Sequence, residues 1–268
     1  GSDTVTEAFR AAAADEDVKA ILFRVDSPGG SYVASDAIWR ETVRARKAGK
    51  PVIVSMGNLA GSGGYFVSMA ADKIVAQPAT ITGSIGVLGG KMLTSGFWDK
   101  VGLSWDDVHT SAHGTFWTGT HDYSPAEWAR FQAWLDRIYQ DFTRKVADGR
   151  KLPLEKVLEV AKGRIWSGED AKALGLVDEL GGLPTALRLA RQAAGIPEKE
   201  GVRLQVYPRP KEPLELLLRG GRESSEPVAV RASLRAVEAL RPAVRRLRAL
   251  GLLHPPGVLT TPPLEIQP

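Results

Sequence analysis

Short apolar runs that end in glycine-rich turns and then hand over to helices constrain this chain more than any other feature. AILFRV (20–25) runs into DSPGG (26–30) and a helical stretch at 33–48, which has a basic end and Gly49 as a plausible stop. PVIVS (51–55) leads to a glycine-rich loop and a small-residue helix over about 62–71, after which IVA (74–76) makes a third short run. Nearly continuous apolar runs of this length suit strands buried on both faces. Strand and helix alternating on so short a period mean βαβ units and a parallel sheet. The expected class is α/β, with a mostly parallel sheet and flanking helices.

Outside this frame the signals are mostly helical. Residues 3–15 read as a short helix capped by Ser2 or Asp3. A chain that begins at a helix cap is expected to be a fragment, with a cloning scar at Gly1-Ser2 as the other reading. Residues 77–121, richer in Gly, Thr and Ser, read as loops with short strands. From Pro125 a long helix is expected, with Trp128, Phe131, Leu135, Ile138, Phe142 and Val146 three or four apart on one face. Its start carries a capping box at Ser124 and Glu127 with Pro125 as the first helical residue. Further helices are expected near 153–162, 168–174 and 183–194, and one more strand over Val202–Tyr207.

Composition bounds the function classes. With 43% hydrophobic and 25% charged residues over 268 positions, the chain is ordinary globular protein, long enough for one large domain with an appendage. The pattern divides it into a domain over 1–207 and an Arg/Leu/Pro-rich extension over 208–268. In that extension Leu234, Val237, Leu240, Val244, Leu247 and Leu250 form an apolar stripe interrupted by Pro242. It would pack on its own domain or a partner subunit, with a membrane surface as the alternative. The net charge of +4 comes without a zinc finger, P-loop or aromatic–basic RNA motif, so nucleic acid is not an expected partner. The absence of cysteine excludes disulfides and thiolate metal sites. No apolar run approaches the length of a membrane span. No cofactor or metal is expected; His109-x-x-x-His113 would suit a metal only on a helix, and this region is a poor one.

Chemistry concentrates in the two glycine turns. In an α/β sheet, ligands bind beyond the carboxyl ends of the strands, so SPGG (27–30) and GSGG (61–64) are expected to meet at one edge. Glycine lets backbone approach backbone, and such turns leave N–H groups free to hold the oxygen of a tetrahedral intermediate. Ser62, between two such turns, is placed like a nucleophile. The alternative is that both turns serve only to close tight loops.

These residues carry a resemblance. DSPGGS, AGSGGYFVSMAADKIVA and TITGSIGV are similar to the successive core motifs of the signal peptide peptidase A (protease IV) family. FTRKVADGRKL, GRIWSGEDAKALGLVDELGG and PTALRLA continue the likeness in unbroken order over about 3–195. The resemblance implies a crotonase/Clp-protease-like ββα superhelix, a Ser–Lys dyad, and hydrolysis of residual signal peptides or other apolar peptides in or near the membranes of the bacterial cell envelope. It assigns Ser62 as nucleophile, the N–H groups of Gly30 and Gly63 as oxyanion donors, and Ser84 as the serine that orients the lysine. Ser84 reads equally well as a turn hydroxyl bonding local backbone.

The base is what this sequence lacks. In short members of the family the lysine follows TGSIG, in a segment shaped like S-G-A-H-K; here the corresponding stretch is TSAHGTFW (110–117), and Gly114 stands at the lysine's place. Long, tandem members carry the lysine in the N-terminal half and the serine in the C-terminal half. Two explanations compete: a dead enzyme, or, as the resemblance to the tandem members implies, a serine-bearing C-terminal half, whose expected partners are a lysine-bearing N-terminal half and sister subunits in a homo-oligomer. Within the chain, Lys73 is expected to lie too far from Ser62, Lys91 is the best substitute though expected to be solvated, and His109 or His113 with Asp106, Asp107 or Asp122 would form a Ser–His alternative. An extended apolar peptide is expected to pair with a sheet edge. Tyr32, Val33, Tyr65 and the segment from Ile85 to Leu88 are candidates for its pockets. A non-catalytic, peptide-binding scaffold and a crotonase-type acyl-CoA enzyme are the competing functions.

Overall fold

The computed structural model describes residues 1–197 and 199–208. Among these residues six strands form one sheet: β1 (Ile21–Ser27), β2 (Val52–Gly61), β3 (Lys73–Ala76), β4 (Ile81–Gly83), β5 (Ile165–Ser167) and β6 (Glu179–Leu180). Eight helices accompany them: α1 (Ser2–Ala14), α2 (Tyr32–Lys47), α3 (Gly63–Ser68), α4 (Ser95–Lys100), α5 (Pro125–Arg150), α6 (Leu154–Val160), α7 (Gly168–Ala173) and α8 (Leu183–Ala193).

β2 organises the sheet. One of its edges pairs with β1 in parallel. The other is shared, with β3 along Ile53–Ser55 and β4 along Leu59–Gly61, both parallel. β6 extends the sheet beyond β3 in parallel, and β5 lies antiparallel to β4. Both faces are covered, which is why β2 reads as an apolar run. Val52, Val54 and Met56 enter the main core with Phe66, Phe142 and Val146. Ile53 and Val75 face the other way, onto Ala186 and Ala190 of α8. Successive side chains of a strand point to opposite faces, so two layers of helix bury one strand completely.

β2 runs past the expected end at residue 55, through Gly57 and Asn58 to Gly61. Gly57 and Asn58 have no registered partner themselves; the strand continues across them because Leu59–Gly61 pair with β4 and Ala60 pairs with β1. The helix after Ser62 is correspondingly shorter than expected and ends at Ser68. α1 is capped by Gly1, not by Ser2 or Asp3. α5 starts with the expected capping box: Ser124 Oγ accepts from Glu127 N–H, and Glu127 Oε2 accepts from Ser124 N–H at 2.8 Å. Phe131, Ile138, Phe142 and Val146 are buried, whereas Trp128 is 48% exposed at the first turn. The loop region 77–121 contains β4 and the unforeseen α4. Its Phe116 and Trp117 pack on α5, with Trp117 edge-on to Phe131 at 5.9 Å.

Val202–Tyr207 is not a strand; Leu204 and Val206 are exposed, and the apolar alternation there finds no sheet edge to join. Of the expected extension only Pro208 is described, so the stripe from Leu234 to Leu250 lies outside the described residues. Among the described residues no helix is long and apolar enough to cross a membrane.

Candidate active site

The two glycine turns meet. Ser27 at the end of β1 pairs with Ala60, one residue before Gly61 closes β2, so both strands deliver their turns to the same edge. Gly29 adopts a φ of +113°, and a Cβ added there would stand 2.7 Å from Ser62 Cβ and 2.8 Å from Gly63 N. A Cβ on Gly63 would stand 3.1 Å from Gly30 N and 2.6 Å from Ser35 Oγ. The backbones of the two turns are thus in contact, and glycine is required on both sides of it.

Ser62 sits in the joint. Its φ of +50° and ψ of −116° are unusual for a residue with a side chain. Such conformations cost about 1–3 kcal/mol and persist where the surroundings enforce them. A strained strand-to-helix turn of this kind lifts a side chain clear of the backbone it follows. Ser62 N–H donates to Gly83 O at 2.9 Å, which anchors the turn to the end of β4. The Ser62 residue is half-buried, and its hydroxyl bonds to no group among the described residues. Gly63 N–H opens α3, where no preceding carbonyl is in range to accept it. Neither Gly63 N–H nor Gly30 N–H has an acceptor among the described residues, and Gly30 is exposed.

Ser84 lies beside this pair. Gly83 pairs with Gly61, and a Cβ on Gly61 would be 3.6 Å from Ser84 Cβ. Ser84 also has a positive φ, +48°, and its N–H donates to Arg164 O at 2.7 Å. The turn-hydroxyl alternative is not what the geometry displays, since the Ser84 hydroxyl bonds to no local backbone group among the described residues.

The expected pocket residues divide. Val33 and Leu88 are exposed, at 74% and 94%. Tyr65 and Ile85 are fully buried, and this corrects their assignment to a peptide pocket. Tyr65 donates its hydroxyl to Leu176 O at 2.9 Å, and burial pushes its phenol above its ordinary pKa. Both side chains enter the core because they lie on the inner faces of α3 and of the loop after β4. Tyr32 is half-buried and bonds to Asp141 Oδ2 at 2.6 Å. Burial, then that bond, raises its phenol as well.

None of the internal bases meets Ser62. Lys73 is not on a helix after Ser62 but opens β3, paired with Ile53 at the far end of β2. Eight residues of strand separate Ile53 from Gly61, on the order of 20 Å at ~3.3 Å per residue with the bulge discounted. Lys73 Nζ faces Asp178 at 3.6 Å. Lys91 is half-buried rather than solvated: Nζ donates to Phe116 O at 3.3 Å and lies 4.0 Å from the centre of the Tyr123 ring. His113 Nδ1 faces Glu127 at 3.8 Å, and His109 is exposed. Gly114 is exposed in a run of turns, with its N–H on Ser111 O.

Sequence reasoning passed over a charged network under the SPGG turn. Lys145 Nζ lies 2.6 Å from both Asp36 Oδ1 and Asp141 Oδ2, and 4.4 Å from the Trp39 ring. It ties α5 to the start of α2, immediately after Gly30. Burial opposes ionisation of Asp36, but hydrogen bonds from Lys145 and Arg40 outweigh it and hold the carboxyl below its ordinary pKa. A helical spacing of four between Asp141 and Lys145 was the available signal.

The fold and this joint define a class: an α/β scaffold that presents one serine hydroxyl beside two backbone donors contributed by separate strands. Comparison with known sequences gives the family. A match to Peptidase family S49 covers residues 44–197, and the chain belongs to that family. Its architecture is accordingly the crotonase/Clp-protease-like α/β fold, with a mostly parallel sheet and flanking helices. The chain is 40% identical to Protease 4 of Salmonella typhi, over 91% of this chain and 38% of that protein. It is 37% identical to Serine protease SPPA, chloroplastic, of Arabidopsis thaliana, over 82% of this chain and 32% of that one. Against Protease 4 of Haemophilus influenzae the identity is 42%, over 72% of this chain and 31% of the relative. The chain thus spans about a third of the length of these relatives.

Proposed function

We propose that this chain is the serine-bearing half of a serine peptidase that works through a Ser–Lys dyad, with the lysine supplied by an N-terminal half. The observation that carries the reading is Ser62 itself: a strained, half-buried serine whose hydroxyl is unbonded among the described residues, beside two free backbone donors. Gly114 supports it, because glycine stands at the lysine's place and has no side chain to take a proton. The length of the relatives supports it too, since they have room for a second half.

In the proposed reaction a neutral lysine amine takes the Ser62 proton as Oγ attacks the scissile carbonyl. The carbonyl oxygen becomes an oxyanion between Gly30 N–H and Gly63 N–H. The lysine returns the proton to the leaving amine, and water then hydrolyses the acyl-Ser62 ester. Ser84 Oγ would orient the lysine. The substrate is an extended apolar peptide such as a residual signal peptide, with Val33 and Leu88 exposed to meet it. Such substrates place the enzyme at a membrane of the cell envelope, assembled as a homo-oligomer.

The test compares this chain alone with the chain plus a lysine-bearing N-terminal half, using a fluorogenic apolar peptide. The isolated chain should be nearly inactive and the combination active, with Ser62→Ala abolishing turnover but not assembly. Robust Ser62-dependent cleavage by the isolated chain would overturn the divided dyad. Assembly without any turnover in the wild-type combination would favour the scaffold.

A further inference from the structure

An oxyanion hole built from two chain segments works only if the segments are held together within about 0.5 Å. Gly30 belongs to the turn after β1 and Gly63 to the turn after β2, so no single loop fixes their spacing. On one side the spacing is set by the contact of Gly29 with Ser62. On the other side stands Ser35, in the first turn of α2.

Ser35 is only 7% exposed. Its hydroxyl donates to Ser31 O at 2.9 Å, and its N–H donates to the same carbonyl at 3.0 Å. Two bonds on one oxygen fix the Ser31–Tyr32 peptide plane, one residue beyond Gly30. The same Oγ stands 2.6 Å from where a Cβ on Gly63 would be. One hydroxyl therefore braces the first donor's turn by hydrogen bonding and abuts the second donor's residue by contact. A serine that merely satisfied itself on the carbonyl four residues back would not need to touch the neighbouring turn.

Resting on the peptidase reading above, we propose that Ser35 is a positioning residue that joins the Gly30 and Gly63 donors into one rigid unit. It touches neither substrate nor the reacting atoms. Its effect falls on the transition state, where the oxyanion needs both donors at once, and not on substrate binding.

The test uses the assembled enzyme with its lysine-bearing half. Ser35→Ala should lower kcat about tenfold or more at unchanged KM, because a displaced donor acts only on the oxyanion. A peptide aldehyde, which adds to Ser62 and places its hemiacetal oxygen in the hole, should bind more weakly by the same factor. Ser35→Thr, which keeps a hydroxyl able to reach the same carbonyl, should retain most of the activity. A crystal structure of Ser35→Ala should show Gly30 N and Gly63 N displaced relative to each other. Unchanged kcat and aldehyde affinity in Ser35→Ala would overturn the proposal, as would a rise in KM alone. Loss in Ser35→Thr equal to that in Ser35→Ala would also overturn it; if the alanine variant does not fold, Ser35→Thr is measured against wild type, and a loss of about tenfold or more in kcat overturns the proposal. If the wild-type assembly neither cleaves peptides nor binds the aldehyde, the peptidase reading fails. The donor spacing in the crystal then decides the role of Ser35 alone, with unmoved donors refuting it.

Discussion

Gly29→Ala tests the joint between the two turns most directly. The new methyl would lie 2.7 Å from Ser62 Cβ, 2.8 Å from Gly63 N and 3.1 Å from Gly61 O. Carbon atoms rest at about 3.5–4.0 Å, so the turns must part by roughly 0.8 Å or more. Two of the three obstacles are backbone, which cannot swing aside as a side-chain tip can. The φ of +113° adds strain of about 1–3 kcal/mol for any residue with a side chain. Overpacking adds about 1–3 kcal/mol. For a domain of this size each kcal/mol lowers the melting temperature by about 2–4 °C, so a fall of roughly 10 °C is expected. The displacement approaches 1 Å at the nucleophile, which corresponds to a loss of about 10²-fold in kcat. Calorimetry of this chain and peptide turnover by the assembled enzyme measure the two effects separately. A variant that melts within 2 °C of wild type and turns over within about twofold would refute the contact on which the site is built.

Two further outcomes follow from the network beneath the SPGG turn. Lys145→Met would leave Asp141 with only the Tyr32 hydroxyl and should cost about 2–3 kcal/mol in urea denaturation, because it strands a partly buried carboxylate. A change below about 0.5 kcal/mol would show the triad to be dispensable. The pH dependence has a definite sign: Asp36 has a folded pKa below its ordinary value, so the unfolded chain binds the extra proton. Its stabilisation is complete above the ordinary carboxylate pKa of about 4 and is lost as pH falls through the folded value. Melting temperature should therefore drop on acidification more steeply in wild type than in Asp36→Asn, and parallel curves would contradict the assignment.

The sequence displayed the site better than its surroundings. SPGG and GSGG were legible because each follows an apolar run and because glycine has few other reasons to cluster there. The capping box at Ser124 was legible because its signal is local. Tyr65 was misread because a residue three positions after a nucleophile can face substrate or core, and only the packing of Phe142 and Leu176 around α3 decides it; Ile85, the residue after Ser84, enters the same core. β5 and β6 were hidden because they are three and two residues long and exist only through pairing with β4 and β3. Ser35 had no signal at all; its position beneath Gly63 follows from the crossing of two turns, which no spacing along the chain encodes.

The alignment of those turns depends on an irregularity that sequence reasoning mistook for a loop. From Val25 to Ser27 β1 advances two residues, while from Met56 to Ala60 β2 advances four. The two surplus residues of β2 bulge outward, and Asp26 accommodates them. Its Oδ1 accepts Leu59 N–H at 3.2 Å, and its carboxylate lies against Gly57, where a Cβ would be only 2.6 Å away. In a regular ladder Ser27 would pair with Asn58, and the Ser62 turn would project two residues beyond the SPGG turn, about 6.6 Å at 3.3 Å per residue. Two backbone donors that far out of step cannot share one oxygen. The bulge at Gly57 is thus a condition of the chemistry proposed at Ser62, and the Gly-Asn pair that made this segment look like a loop is what allows it to form.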